Sequence, residues 1–194
     1  MSANHTEPPS KGKRKKKNSH IRWIVTVFFV AVVISSTISF FSSTVLEGAG
    51  LVEAFLVLLL IVALGIVFDI IGVAVMSAEE KPFHAMAAKK VPGAAEALHL
   101  LRNAEKVSSF CNDVVGDICG VVSGSAGAAL TMRIGEKMGL SSTFVVGILV
   151  AAFIAAFTVG GKAIGKRLAI KRSKDILMLT GRAAAFLSGL FKRK

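Results

Sequence analysis

The sequence is poor in charged residues, and acidic residues are especially few. Only 19% of the 194 residues are charged, with 12 acids against 24 lysines and arginines. Hydrophobic residues make up 53% of the chain, more than a soluble domain of this length needs for its core. The net charge of +12 lies mostly in two basic blocks, at Lys11–Lys17 and at Lys162–Lys194. This distribution is typical of a membrane protein that keeps its basic ends in the cytoplasm.

Signatures of catalysis, redox chemistry and nucleotide binding are missing from the sequence. The only two cysteines, Cys111 and Cys119, have the spacing of neither a zinc knuckle nor a redox pair, and we interpret them as buried thiols. The glycine-rich segment Gly116–Gly127 lacks the Lys-Ser/Thr that follows in a phosphate-binding loop. Because no nucleophile–base pair is present either, an enzyme is not expected. The basic tails contain few aromatic residues for base stacking, so a nucleic-acid partner is not expected.

Four apolar stretches are long enough to cross a bilayer, which takes about 20 residues. They are Trp23–Leu46, Leu51–Ser77, 108–130 and 141–161. The first lies in residues 22–46, which we interpret as an N-terminal transmembrane helix rather than a signal peptide. It is long for a signal peptide, and no convincing cleavage site follows it. Residues 1–21 are polar and basic and are predicted to be disordered.

Two segments outside the spans predict helices on the cytoplasmic side. Residues 78–107 are too charged to cross a membrane, and they predict a hairpin of two short amphipathic helices near 82–90 and 93–107. In the basic juxtamembrane segment 166–194, apolar residues recur at three and four positions, which predicts a helix on anionic lipid headgroups or, alternatively, on a partner protein. These residues are Ile176, Leu179, Ala183, Phe186 and Leu190. The predicted fold is therefore an all-α polytopic plasma-membrane protein with four transmembrane helices, a cytoplasmic helical hairpin, a basic juxtamembrane helix and both termini cytoplasmic.

The second span contains a single acid well inside it. Asp69 is flanked by Gly65, four residues before it, and by Gly72, three residues after it, on roughly the same helix face. A carboxylate inside a span costs roughly 2.5–3.5 kcal/mol on insertion scales and usually faces the protein interior. We therefore expect Asp69 to lie against a neighbouring helix.

The third span carries several polar groups beside a face of small residues. Glycine recurs every four residues, at Gly116, Gly120 and Gly124, which lets a neighbouring helix approach closely. Asp113 and Asp117 are also four residues apart and are predicted to lie close to that face, with Asn112 one step around the helix. The number of such small-residue faces suggests helix packing between chains as well as within one.

Three short segments resemble, in their order and spacing, a known family of membrane proteins. They are Phe68–Ser77 (FDIIGVAVMS), Cys111–Gly116 (CNDVVG) and Gly161–Ala169 (GKAIGKRLA). They resemble the F-S-x-x-E-x-A-L-x-S, G-N-x-x-V-N and G-E-I-x-P-K-x-L-A patterns of the CNNM/CorC family of magnesium-transport proteins. The resemblance extends over residues 51–190, with the transmembrane domain at 51–165. It implies a homodimer with a metal site between its helices.

The resemblance also implies site residues, and two of the positions depart from the family pattern. Asp69 takes the position of an ion-binding serine of the family, and Asn112 takes that of its asparagine. Lys162 replaces the ion-binding glutamate, and Gly72 replaces the glutamate of the first motif. The paired CBS domains of full-length members are not in this sequence, and the first span is outside their core domain. Nucleotide control through CBS domains is therefore not expected.

Two hypotheses for function follow. In the first, the chain transports or exchanges a divalent cation, with Asp69, Asn112, Asp113 and Asp117 as oxygen ligands for Mg²⁺. Lys162 then tunes the site or acts as a built-in counter-cation. In the second, the chain is a scaffold or regulatory subunit for an unidentified membrane or cytoplasmic protein, and Lys162 pairs with Asp69 or Asp117 to hold helices together. A proton relay or a contact with lipid headgroups remains open for the acids.

Overall fold

Helices form nearly all of the chain that this computed structural model describes, which is residues 11–48, 50–138 and 143–191, and no strand occurs there. The long helices are α1 (Lys11–Gly48), α2 (Leu51–Ser77), α6 (Asp117–Met138), α7 (Thr143–Lys171) and α8 (Ser173–Phe191). The short helices are α3 (Glu80–Ala88), α4 (Ala94–Arg102) and α5 (Ala104–Ser109), and a π-helix (Phe110–Gly116) joins α5 to α6.

Four helical stretches are long and apolar enough to cross a membrane. They are Ile21–Thr44, Leu51–Ser77, Ala104–Glu136 and Phe144–Lys171. The prediction of an all-helical chain with four such helices is confirmed.

The ends of three helices differ from the prediction. α6 continues to Met138, beyond the end of the span predicted at 108–130, and residues 139–142 lie outside the described part of the chain. α7 runs unbroken to Lys171, across the domain boundary predicted after residue 165. No proline interrupts either stretch, so nothing in the backbone chemistry ends these helices earlier. At the N-terminus, α1 begins at Lys11, inside the segment predicted to be disordered, and residues 1–10 are not described.

α2 lies at the centre of the bundle and packs against α6, α7 and the π-helix. Its buried residues recur mainly at intervals of three and four, so one face of the helix points into the protein. These residues are Ala54, Leu58, Ile61, Val62, Gly65, Asp69, Gly72, Ala74 and Val75. The helix begins after Gly50, whose N–H donates a hydrogen bond to Glu53 Oε2 at 2.6 Å. Glu53 thus satisfies an N–H at the helix start and suits the positive end of the helix dipole.

α3, α4 and α8 pack together at the end of α2, around an apolar cluster that includes Val75, Phe83 and Leu177. α4 and α8 approach closely because glycine lies at the contact, and a Cβ built on Gly181 would collide with the carbonyl oxygen of Gly93. Gly93 also has φ of 84°, a left-handed conformation that residues with a Cβ rarely adopt. The predicted second hairpin helix is divided in two, because the chain turns at Asn103 between α4 and α5.

α8 has two apolar faces rather than the single face that the sequence predicts. Leu179 and Phe186, from the predicted stripe, are 69% and 72% exposed. Leu177 and Met178 are buried in the cluster with α3 and α4. One face therefore packs on the protein, and the other stays open toward its surroundings. The side chain of Leu190, also in the predicted stripe, lies outside the described part of the structure.

Candidate functional site

Asp69 is the buried carboxylate at the centre of the bundle. It lies on the inward face of α2 and is 4% exposed. The flanking glycines let other elements reach that face. A Cβ built on Gly65 would lie 2.9 Å from the Cβ of Cys119 in α6. A Cβ built on Gly72 would overlap the amide group of Asn112. Side chains at these two positions would push α6 and the π-helix away from Asp69.

The π-helix carries Asn112 to α2 and leaves Asp113 on the outside. A π-helix has i→i+5 hydrogen bonds and turns through a smaller angle per residue than an α-helix, so it changes which side chains face a neighbour. Asn112 packs against Gly72, and its Nδ2 donates a hydrogen bond to Ser108 Oγ at 3.3 Å. Asp113 is exposed. In an uninterrupted α-helix, Asp113 would lie close to the face that carries Gly116, Gly120 and Gly124, as the sequence predicts.

Lys162 brings a positive charge to Asp69 from α7. Its Nζ lies 3.7 Å from Asp69 Oδ1, which is an ion-pair distance but too long for a hydrogen bond. A Cβ built on Gly116 would lie 3.5 Å from the same Nζ, so the ammonium group lies beside a position of the π-helix that has no side chain. α7 comes this close to α2 because Gly161 and Gly165 face isoleucine side chains of α2. Of the two partners predicted for Lys162, the structure therefore pairs it with Asp69.

Two oxygens at this site have no hydrogen-bond donor among the described residues. Asp69 Oδ2 and Asn112 Oδ1 are both buried and unpartnered. Such a group costs about 1–3 kcal/mol when nothing satisfies it, and more when it is charged. One oxygen comes from α2 and the other from the π-helix, and each can accept a hydrogen bond from a water or bind a cation. Carboxylate and amide oxygens are the hard ligands that Mg²⁺ and Ca²⁺ prefer.

A small cavity adjoins the ion pair. It has a volume of about 10 Å³, and its lining includes Gly65, Gly116, Cys119, Thr158 and Lys162. This is close to the space of a single water molecule. Asp69 and Asn112 do not line this cavity, so its space for a water lies beside Lys162. The site itself offers one carboxylate, one amide oxygen and one ammonium group.

The remaining predicted ligands lie elsewhere. Asp113 and Asp117 are both exposed on the side of the third span. Within the described ranges, no three His, Cys, Asp or Glu side chains come close enough to hold one metal ion. Gly120 and Gly124 have open space where a Cβ would be, so neither is at a close helix contact within this chain. Of the predicted site residues with ionisable or amide side chains, the candidate site therefore keeps Asp69, Asn112 and Lys162.

The fold and the site together describe a helical bundle with a charged centre. The class is an all-helical protein whose described part includes four helices long and apolar enough to span a membrane. Comparisons of the chain with known protein families, curated proteins and solved structures found no match.

Proposed function

We propose that this chain is a membrane transporter or exchanger of a small, magnesium-like divalent cation. The ligands are Asp69 and Asn112, and Lys162 is a tethered counter-cation. The observation that carries the proposal is the pair of buried, unpartnered oxygens on α2 and the π-helix. Mg²⁺ is commonly held by one or two carboxylates and keeps several of its waters, so two protein oxygens are enough for a transient site. The resemblance to the CNNM/CorC family supports the same two positions.

Lys162 keeps the site neutral while no cation is bound. An isolated carboxylate in this position would be costly, and the ammonium group offsets its charge from 3.7 Å. Lysine has a flexible stem of four carbons, so its charged group can move without a shift of α7. Its side chain is 27% exposed, against 6% for Asp69, so it has room to move away from the carboxylate. An arriving cation displaces the ammonium group, and its departure lets the ammonium group return.

The ion pair also favours a second function, a scaffold without transport. It joins α2 and α7, which pack against each other more extensively than any other pair of described helices. A buried pair of charges can specify which helices pack together even where it adds little to stability. In this reading the unpartnered oxygens hold a fixed water, and the protein acts on an unidentified membrane or cytoplasmic partner.

The orientation of the chain follows from its basic residues. Four consecutive spans place the start of α1, the helices α3, α4 and α8, and the end of α7 on the same side. The basic blocks Lys11–Lys17 and Lys162–Lys194 fall mainly at this side. The positive-inside rule therefore supports a plasma-membrane protein with both termini in the cytoplasm and α8 against anionic headgroups.

A homodimer is part of the same proposal. The bare faces at Gly120 and Gly124 border a groove of about 520 Å³ between α6 and α7, whose lining is mostly apolar. Small residues let transmembrane helices pack closely, so this groove suits a helix of a second chain. Oligomeric state in detergent and in nanodiscs tests this part separately.

Uptake of metal ions into liposomes that contain the purified protein tests the transport proposal. A magnesium-sensitive or manganese-sensitive dye inside the liposomes reports uptake by the wild-type protein, by Asp69→Asn and by Asp117→Asn. The second variant is the matched control, because it removes an exposed carboxylate of the third span that is not at the site. Transport predicts that Asp69→Asn loses uptake while Asp117→Asn keeps it. No uptake by well-folded wild-type protein, across several divalent ions and with a sodium or proton gradient, would favour the scaffold.

A further inference from the structure

A second pocket lies outside the Asp69 site, between α1 and the π-helix. It has a volume of about 210 Å³, large enough for a headgroup-sized organic group rather than a bare ion. Its lining includes Trp23 from α1 and Ser109, Phe110 and Asp113 from the other wall. The transport proposal uses none of these four side chains.

Charges of both signs lie at or beside this pocket. Asp113 lines it and is exposed. Lys106 does not line it, but its Nζ lies 5.6 Å from the centroid of the Trp23 ring, which does. Across the described ranges, neither Asp113 nor Lys106 forms a salt bridge. The lining also includes the aromatic rings of Trp23 and Phe110, and aromatic faces attract ammonium groups.

The pocket lies at the level of lipid headgroups. Trp23 is the third residue of the span Ile21–Thr44, and tryptophan in that position commonly marks the membrane–water interface. A group that enters the pocket from the surrounding lipid therefore comes from the headgroup of a phospholipid. A headgroup that matches both charges carries an ammonium group for Asp113 and a phosphate for Lys106.

We propose that this pocket binds the headgroup of a zwitterionic phospholipid with a primary ammonium group, such as phosphatidylethanolamine. Asp113 accepts hydrogen bonds from the ammonium group, with Trp23 and Phe110 packed beside it. Lys106 pairs with the phosphate, and Ser109, which also lines the pocket, is a further hydrogen-bond donor. The proposal gives Asp113 a role apart from ion binding at Asp69, and it stands whether or not the chain transports ions.

Retention of defined lipids by the purified protein tests this proposal. Delipidated protein is placed in nanodiscs made of equal amounts of phosphatidylethanolamine and phosphatidylcholine, which are both zwitterionic, and the lipids that stay bound after detergent extraction are measured by mass spectrometry. Wild-type protein should retain phosphatidylethanolamine about tenfold more than phosphatidylcholine, whose ammonium group has no N–H to donate, and this ratio corresponds to 1.4 kcal/mol. Asp113→Asn should lose the preference, because the amide has almost the same shape but no charge.

Asp117→Asn is the matched control, because Asp117 is an exposed carboxylate of the same span outside the pocket. It should keep the wild-type preference, and so should Asp113→Glu, which retains the charge. The proposal is overturned if the wild-type protein shows no preference between the two lipids. It is also overturned if Asp113→Asn and Asp117→Asn retain the lipids in equal ratios. A wild-type protein that takes up no ions but keeps its lipid preference would count against the transport proposal alone.

Discussion

Removal of either charge of the Asp69–Lys162 pair should destabilise the protein, and removal of both should restore part of the loss. Two unit charges 3.7 Å apart interact by about 4.5 kcal/mol at an effective dielectric constant of ~20, and by about 1 kcal/mol in water. The Lys162 side chain is 27% exposed and that of Asp69 only 6%. The pair is thus partly screened, and we expect a coupling of about 2–3 kcal/mol, between these limits.

The measurement is a double-mutant cycle on the free energy of unfolding. Asp69→Asn, Lys162→Met and the double variant are unfolded in bicelles beside the wild-type protein. Each single variant leaves one charge without its partner, and we expect each to cost about 2–4 kcal/mol, somewhat less than a fully buried pair because of the partial exposure. The double variant should cost less than the sum of the two, by the coupling energy.

An additive cycle would refute this reasoning. If the two single effects sum to the double effect within about 0.5 kcal/mol, the two charges do not interact in the folded protein. Lys162 would then have no part in the proposed mechanism. The same variants separate the two functions. Transport predicts that folded Lys162→Met takes up ions at lower concentrations than the wild-type protein, because the competing ammonium group is gone. A scaffold predicts no uptake by any variant.

Two further substitutions, each with a control variant, test the contacts around the site and in the helical cluster beside it. Gly72→Ala should reduce ion uptake at least tenfold, because the added Cβ overlaps the amide group of Asn112. Gly189→Ala in α8 adds a Cβ in open space and should leave uptake unchanged, and the liposome assay reports both. Leu177→Ala should lower the free energy of unfolding by about 2–5 kcal/mol because the side chain is fully buried, while Leu179→Ala, 69% exposed, should change it by less than about 0.5 kcal/mol. Equal effects of the two glycine variants, or of the two leucine variants, would contradict the packing described above.

The membrane-crossing helices were predictable because their cause is local. A run of about 20 apolar residues must form a helix in a bilayer to satisfy its own backbone, whatever the rest of the chain does. The helix ends were less predictable. α6 continues to Met138 and α7 to Lys171 because polar residues there do not stop a helix, although they mark the edge of an apolar run.

The composition of the site was predictable only in part. The interruption of an apolar run by Asp69 between two glycines indicated a buried acid, and the structure buries it. Asp113 looked equivalent in the sequence. Its position depends on the π-helix at Phe110–Gly116, and no simple residue pattern marks a π-helix. The role of Gly161 and Gly165 in bringing α7 to α2 was likewise missed, because the alanine-rich face of α7 is the more regular pattern.

The amino-acid sequence alone determined that this chain is helical, that four of its helices are apolar enough to span a membrane, and that its basic residues collect in two blocks of the sequence. These properties depend on hydrophobicity and charge summed along the chain. Only the tertiary structure decided that Asp69 is buried beside Lys162, while Asp113 is exposed and lines a pocket with Trp23. The direction in which a side chain points from a helix depends on the rotation per residue in the preceding turns and on how the neighbouring helices pack. A single π-helix and two glycines therefore decide which acid lies at the centre.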